Sequence, residues 1–218
     1  MGYLPKVKIC CISSVAEAKL AINAGVDAIG LVGPMPSGPG IIDDRLIAEI
    51  VQEIPPGIET FLLTSETSAE NIIAHYRKVN TSVIQLVDRI ELSEYKRIRD
   101  HLNQVQLVQV IHVTGSEAIR EAQKISSYVD TILLDSGNPG LAVKELGGTG
   151  RTHNWKISRQ IIDSLDIPVY LAGGLKPENI QEAIRAVKPF GVDLCSGVRT
   201  NDRLDSKKLL KFFSNLKQ

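Results

Sequence analysis

DTILLDSGNPGLAVKELGGTGRTHNW, residues 130–155, runs from the strand to the helix start of the unit from which the chain is built. Residues 131–134 form an apolar run suited to a strand buried on both faces. The run ends on Asp135, a carboxylate placed where a strand leaves its sheet. A glycine-rich segment follows, closing on Gly147, Gly148, Thr149 and Gly150, and a helical pattern begins near Trp155. Strand, terminal acid, wide loop and helix together look like one wall of an active site.

The same unit recurs on both sides of this stretch. Upstream, strand-like runs occupy residues 7–12, 27–32, 58–63, 83–87 and 107–113; downstream they occupy 168–172 and 192–195. A helical pattern follows each. Ser13 and Ser14 can cap the first helix and Gly25 end it. Pro55, Pro56 and Gly57 stop the second, and Pro177 suits the first turn of the seventh. Residues 204–216 form the last amphipathic helix. Eight strand–helix units in 218 residues, with no linker or composition break, predict one α/β domain spanning residues 1–218. A parallel sheet with helical cover, closed as a (β/α)8 TIM barrel, is the expected architecture. An open doubly wound sheet is the alternative that alternation alone allows.

At 43% hydrophobic and 5% aromatic residues, the core is expected to be aliphatic. Lys plus Arg and Asp plus Glu balance at 25 each, which leaves no electrostatic footprint for nucleic acid or an anionic membrane. No apolar run reaches the roughly 18 residues of a membrane span. The cysteines are Cys10, Cys11 and Cys195. An odd count with an adjacent pair argues for a reducing, cytoplasmic setting rather than a disulfide framework. No His/Cys/Asp spacing suggests a metal site, and oligomeric state, monomer or homodimer, is not legible.

In a barrel the site lies where strands end and βα loops begin. That rule selects Cys10, the loop of residues 33–40, Thr64, Asp88, His112, Asp135, Gly173, Gly174, Ser196 and Gly197. Of these, Cys10 and Asp135 suit acid–base work. A thiolate with a lowered pKa can take a proton from carbon; a buried carboxyl with a raised one can donate. Cys11 is expected to point the other way along the pleat, toward the helices, although the sequence does not fix which thiol faces inward. Glycines at the ends of the seventh and eighth strands let backbone N–H groups approach an anion, in the loops where barrels often hold phosphate. His75 and His101 are expected on helix surfaces, and His112 in the core.

Lys8-Ile9-Cys10, Leu134-Asp135-Ser136, Gly147-Gly148-Thr149-Gly150, Leu171-Ala172-Gly173-Gly174-Leu175 with Pro177-Glu178-Asn179, and Val192-Asp193 with Ser196-Gly197-Val198 resemble the phosphoribosylanthranilate isomerase family. The resemblance runs in order through nearly the whole chain. It implies a (β/α)8 barrel of tryptophan biosynthesis with no metal or organic cofactor. The implied reaction is an Amadori rearrangement of an N-(5-phosphoribosyl) amine to a 1-deoxyribulose 5-phosphate derivative. By residue match Asp135 is the general acid and Cys10 the general base. Gly148, Gly173, Gly174, Ser196 and Gly197 hold the substrate phosphate, and Asp193 lies near the sugar.

The chain also departs from the family pattern. Cys11 replaces the glycine of K-I-C-G, Asp88 ends the fourth strand where Q-L-H-G is common, His153 and Asn154 replace F-D before Trp155, and Arg199 stands in place of a glutamate. The loop of residues 33–40 lacks the arginine of S-P-R, which meets the anthranilate carboxylate. Arg151 or Arg199 is expected to replace it in substrate binding, with His153 adding a donor. The alternatives are an isomerase of a phosphoribosyl amine with another aglycone, and a non-catalytic phosphate-binding barrel.

Overall fold

A computed structural model describes residues 4–36, 38–137, 140, 146 and 150–217. Gly148, expected in the phosphate grip, lies outside the described residues, as do Gly147 and Thr149.

Eight parallel strands close into a barrel in chain order: β1 Lys6–Ile9, β2 Ala28–Val32, β3 Glu59–Thr64, β4 Val83–Leu86, β5 Gln106–His112, β6 Thr131–Asp135, β7 Val169–Leu171 and β8 Gly191–Leu194. Eight helices alternate with them: α1 Val15–Ala24, α2 Asp44–Gln52, α3 Ala69–Val79, α4 Leu92–His101, α5 Glu117–Ile125, α6 Trp155–Asp163, α7 Ile180–Val187 and α8 Ser206–Leu216. The open-sheet alternative is thereby excluded, because β8 pairs with β1 over Lys6↔Gly191 to Ile9↔Leu194. Among the described residues no helix is long and apolar enough to cross a membrane.

Side chains on the strands alternate between two layers, as a pleat requires. Val7 and Ile9, Ile132 and Leu134, and Val192 and Leu194 pack outward in the core shared with the helices. Cys10, Val83, Val87, Val108, Val110, Leu133 and Tyr170 fill the barrel interior. Lys8, Gln85, Asp135 and Asp193 share the inward parity, so the barrel's upper interior is polar. A side chain at Gly30 would meet the Cys10 Sγ at 2.9 Å and the Lys8 Nζ at 3.1 Å; this glycine makes room for both.

Local chemistry sets the helix ends. The Ser14 hydroxyl accepts from the Glu17 N–H, and Gly25 closes α1 at φ 97°. Asp43, Ser68, Asn154 and Asp205 cap α2, α3, α6 and α8 in the same way. The seventh helix begins after Pro177, which lies in the turn leading into α7 at Ile180. One local expectation needs correction, and one element goes beyond the sequence reading. His75 is buried, not on a helix surface: it bonds the Thr64 hydroxyl at 2.9 Å and pairs with Asp44 at 3.0 Å, tying α3 to β3 and α2. A hairpin absent from the sequence reading, β9 Arg199–Thr200 and β10 Arg203–Leu204, separates β8 from α8.

At the closing seam the Lys8 Nζ lies 2.7 Å from an Asp193 carboxylate oxygen, both side chains being buried. The ammonium also faces the Phe61 ring, 5.0 Å from its centroid. Removing one partner strands the other charge without compensation. Lys8→Met is therefore expected to destabilise the chain by about 3–5 kcal/mol. Lys8→Met/Asp193→Leu is expected to recover most of that loss in urea unfolding, the two effects being strongly non-additive.

Candidate active site

At the C-terminal mouth of the barrel, where such folds place their active sites, lies a cavity. Cys10, Asp135, Gly173, Gly174, Asp193 and Ser196, all selected from the sequence, line it together. Gly197 lies in the adjoining recess, which shares Gly150, Gly174, Leu175 and Ser196 with the cavity. The remaining wall is mostly apolar: Val32, Met35, Pro39, Leu63, Val87, Leu133 and Leu146. Thr64 and Asp88, also at strand ends, turn elsewhere. Thr64 bonds His75, and an Asp88 oxygen accepts from the Arg89 N–H.

Cys11 corrects an expectation. It does not point to the helices but lines the same cavity as Cys10. Its backbone is left-handed, at φ 63°, which breaks the pleat alternation and turns two consecutive thiols to one side. That conformation costs a non-glycine residue about 1–2 kcal/mol and explains why glycine suits the position. Arg199 holds the turn by donating to the Cys11 carbonyl. The same guanidinium pairs with both Glu17 oxygens, at 2.8 and 3.2 Å, and donates to the Asp202 carbonyl at 2.7 Å. So engaged, Arg199 does not replace the missing arginine of the 33–40 loop. Arg151 stands at the rim, its backbone against Gly174, and lines a neighbouring depression with Ser136 and His153.

Two groups have ionisation biased in opposite senses. The Cys11 thiol beside Cys10 holds the Cys10 thiol below its ordinary range, and the Lys8 ammonium adds to this against the effect of burial. Cys11 itself is pushed well up by Cys10, Cys195 and burial. Asp135 is pushed up by burial; the Ser136 N–H, which donates to it at 2.7 Å, and His112 offset this only in part. Asp193 is likewise raised by burial, with Lys8 acting against it. Burial works against the Lys8 charge, but the Asp193 and Cys10 charges outweigh it, so Lys8 stays an ammonium. Such a pair, one thiol made more acidic and one carboxyl made less acidic, has the chemistry to serve as base and acid.

Some polar atoms await partners. An Asp193 oxygen and the Gln85 carbonyl oxygen are buried with no hydrogen-bond partner among the described residues, and both residues line the cavity. Buried acceptors are normally satisfied, so these two have capacity to accept from a bound molecule or water. Burial drives His153 down to about 4, and it bonds Ser158 at 2.7 Å; it is neutral at pH 7. Gly173 and Gly174 adopt φ 80° and 62°, and a side chain at Gly197 would strike the Leu175 carbonyl at 2.0 Å. Both turns therefore bring backbone to the recess that no side chain could share.

Lys8, Gln85 and Cys11 were not assigned site roles from the sequence. Parity was the available signal for the first two: counting in twos from Cys10 and from Val87 places Lys8 and Gln85 inward. Cys11 carried no such signal, because its inward turn depends on the distant Arg199.

Residues 7–215 match the family model described as N-(5'phosphoribosyl)anthranilate (PRA) isomerase. The chain is 36% identical over 214 residues to N-(5'-phosphoribosyl)anthranilate isomerase 2 of Methanosarcina mazei, covering 97% of this chain and 94% of that one. It is 33% identical over 227 residues to the N-(5'-phosphoribosyl)anthranilate isomerase of Methanosarcina acetivorans, covering 97% and 93%. The crystal structure of phosphoribosyl anthranilate isomerase from Thermotoga maritima superposes with a TM-score of 0.84 at 26% identity, covering 98% and 99%. A phosphoribosyl anthranilate isomerase in complex with reduced 1-(o-carboxyphenylamino)-1-deoxyribulose 5-phosphate gives 0.79 at 25%, covering 98% and 99%.

The Cys10–Cys11 contact makes a signed prediction for any reaction needing Cys10 deprotonated and Asp135 protonated. Its rate is flat between the two pKa values, falls below that of Asp135, falls above that of Cys10, and has a plateau tenfold lower for each unit separating them. Cys11→Gly removes the hydrogen bond that lowers Cys10. The alkaline limb of kcat/KM is then expected to move up in pH while the plateau falls, with the acid limb unmoved.

Proposed function

The chain belongs to the N-(5'-phosphoribosyl)anthranilate isomerase family, and we propose that Cys10 and Asp135 carry the family's isomerisation as base and acid in tryptophan biosynthesis. The substrate is a phosphorylated small molecule, and the reaction is an Amadori rearrangement to a 1-deoxyribulose 5-phosphate derivative. One observation supports the assignment above the others: a thiol made more acidic and a carboxyl made less acidic open into one cavity.

In the fraction of molecules where Asp135 holds a proton, a fraction that burial enlarges, it gives that proton to the ribose ring oxygen. The C1′–O bond breaks as the amine nitrogen forms a C1′=N double bond, leaving a protonated Schiff base. The Cys10 thiolate takes the C2′ proton, and that electron pair moves into a C1′=C2′ bond to give an enolamine. Tautomerisation, with loss of the C2′ hydroxyl proton and protonation at C1′, gives the ketone. The positive charge on the Schiff base adds to that of Lys8 in favouring the thiolate when the proton must move.

Asp193 is assigned to the sugar, its unpartnered oxygen accepting from a hydroxyl. The phosphate is assigned to the backbone amides around Gly173, Gly174, Ser196 and Gly197, where glycines admit close approach. The aglycone faces the apolar wall from Val32 to Leu146. No arginine or lysine lines the cavity among the described residues, so we assign the anthranilate carboxylate to Arg151 at the rim.

The test is isomerisation of phosphoribosylanthranilate by the purified chain, with rescue of a tryptophan auxotroph lacking this step. Cys10→Ser and Asp135→Asn are each expected to lower kcat by about 10²–10⁴-fold and to abolish rescue. Rescue by both variants contradicts the assignment. Arg151→Ala is expected to raise KM while leaving kcat nearly unchanged; an unchanged KM removes Arg151 from the carboxylate.

A further inference from the structure

Isomerisation as proposed uses one thiol, yet three meet at this cavity. Cys10 and Cys11 are buried and Cys195 is half-buried, and all three line the opening. Cys195 follows β8 where Cys10 follows β1; these strands are paired neighbours, with the Cys10 N–H bonded to the Leu194 carbonyl at 2.8 Å. The Cys11 side chain is in hydrogen-bonding contact with both Cys10 and Cys195. This contact depends on the left-handed turn at Cys11 and on the Arg199 side chain that fixes it. A strained non-glycine residue held this way points to a use for its side chain. Among the described residues no group of three His, Cys, Asp or Glu is placed to hold a metal ion.

We propose that Cys10, Cys11 and Cys195 form an oxidation site, in which a peroxide oxidises Cys10 and the neighbouring Cys11 captures the product as a reversible disulfide. The Cys10 thiolate attacks one peroxide oxygen and the O–O bond breaks. Cys10 becomes a sulfenic acid and hydroxide leaves, two electrons having passed from sulfur to peroxide. The Cys11 sulfur then attacks the Cys10 sulfur. The S–OH bond breaks, hydroxide departs with the Cys11 proton as water, and a Cys10–Cys11 disulfide forms.

A bridge between adjacent residues is strained and hence readily reduced. Cys195, also in contact with Cys11, can attack the Cys11 sulfur, release Cys10 as thiolate and take over the bond. The trio thus protects the thiol assigned as base from irreversible oxidation. Only the effect on turnover rests on the isomerase reading; the sulfur chemistry stands apart from it.

The full-length chain is treated with a few equivalents of hydrogen peroxide, denatured, and read by mass before and after a thiol reductant. Trypsin leaves Cys10 and Cys11 together on residues 9–19 and Cys195 on residues 186–199, so the bridge is located directly. The expected product has lost two hydrogens, about 2 Da, within the first peptide or as a cross-link between the two. Reductant restores both mass and isomerase activity.

Cys11→Gly suits the left-handed backbone and removes the capturing thiol. In that variant Cys10 is expected to gain two oxygens, about 32 Da, which reductant does not remove. Wild-type chain passing straight to that heavier form overturns the proposal, as does a Cys11→Gly variant whose oxidation stays fully reversible. Reversible loss of two hydrogens in a chain that never isomerises the substrate upholds the oxidation site and counts against the isomerase reading alone.

Discussion

The seam where β8 closes on β1 carries the constraint that the site depends on. Lys8 and Asp193 are register partners across it and form an ion pair in the barrel interior. Two charges removed from water stay ionised only through each other and their neighbours. The neighbours here are Cys10, two residues beyond Lys8 on the same face, and Asp135, two strands around the barrel. The ammonium favours a negative Cys10 more than Asp193 opposes it, and the Asp193 carboxylate opposes a negative Asp135 more than Lys8 favours it. A single buried pair therefore biases the two candidate groups in opposite directions.

Burial alone does not distinguish a base from an acid, since it raises thiol and carboxyl alike. The distinction comes from what each group touches. Cys10 receives a hydrogen bond from Cys11 and the field of Lys8, which together outweigh burial. Asp135 receives one backbone N–H and the influence of His112, which do not. Bringing the two pKa values closer enlarges the fraction of molecules holding a protonated acid and a deprotonated base at once. This is a gain in active population obtained by the fold before substrate binds.

Much of this was legible in the sequence for a physical reason: pleated strands buried on both faces and capped helices leave periodic traces. Strand ends then located Cys10, Asp135 and the glycine turns, because a barrel puts all such ends at one mouth, while Asp193 came from the family resemblance. Other features carried no local trace. Cys11 follows Cys10 in a run that reads as plain strand, and its turn is fixed by Arg199, 188 residues away. Arg199 itself looked free to bind substrate until Glu17 was found against it. His75 reads as a helix-surface residue, and only packing of α3 against β3 reveals Thr64 and Asp44 as its partners. The 199–204 hairpin is too short for periodicity to register.

Division of labour between Cys10 and Asp135 is the central claim, and substrate deuterated at C2′ tests it directly. Proton abstraction is assigned to Cys10 and ring opening to Asp135, so slowing either step changes how far C–H cleavage limits the rate. The account predicts that Cys10→Ser enlarges the isotope effect on kcat/KM relative to wild type, while Asp135→Asn suppresses it toward unity. Equal isotope effects in the two variants, or the reverse order, contradict it.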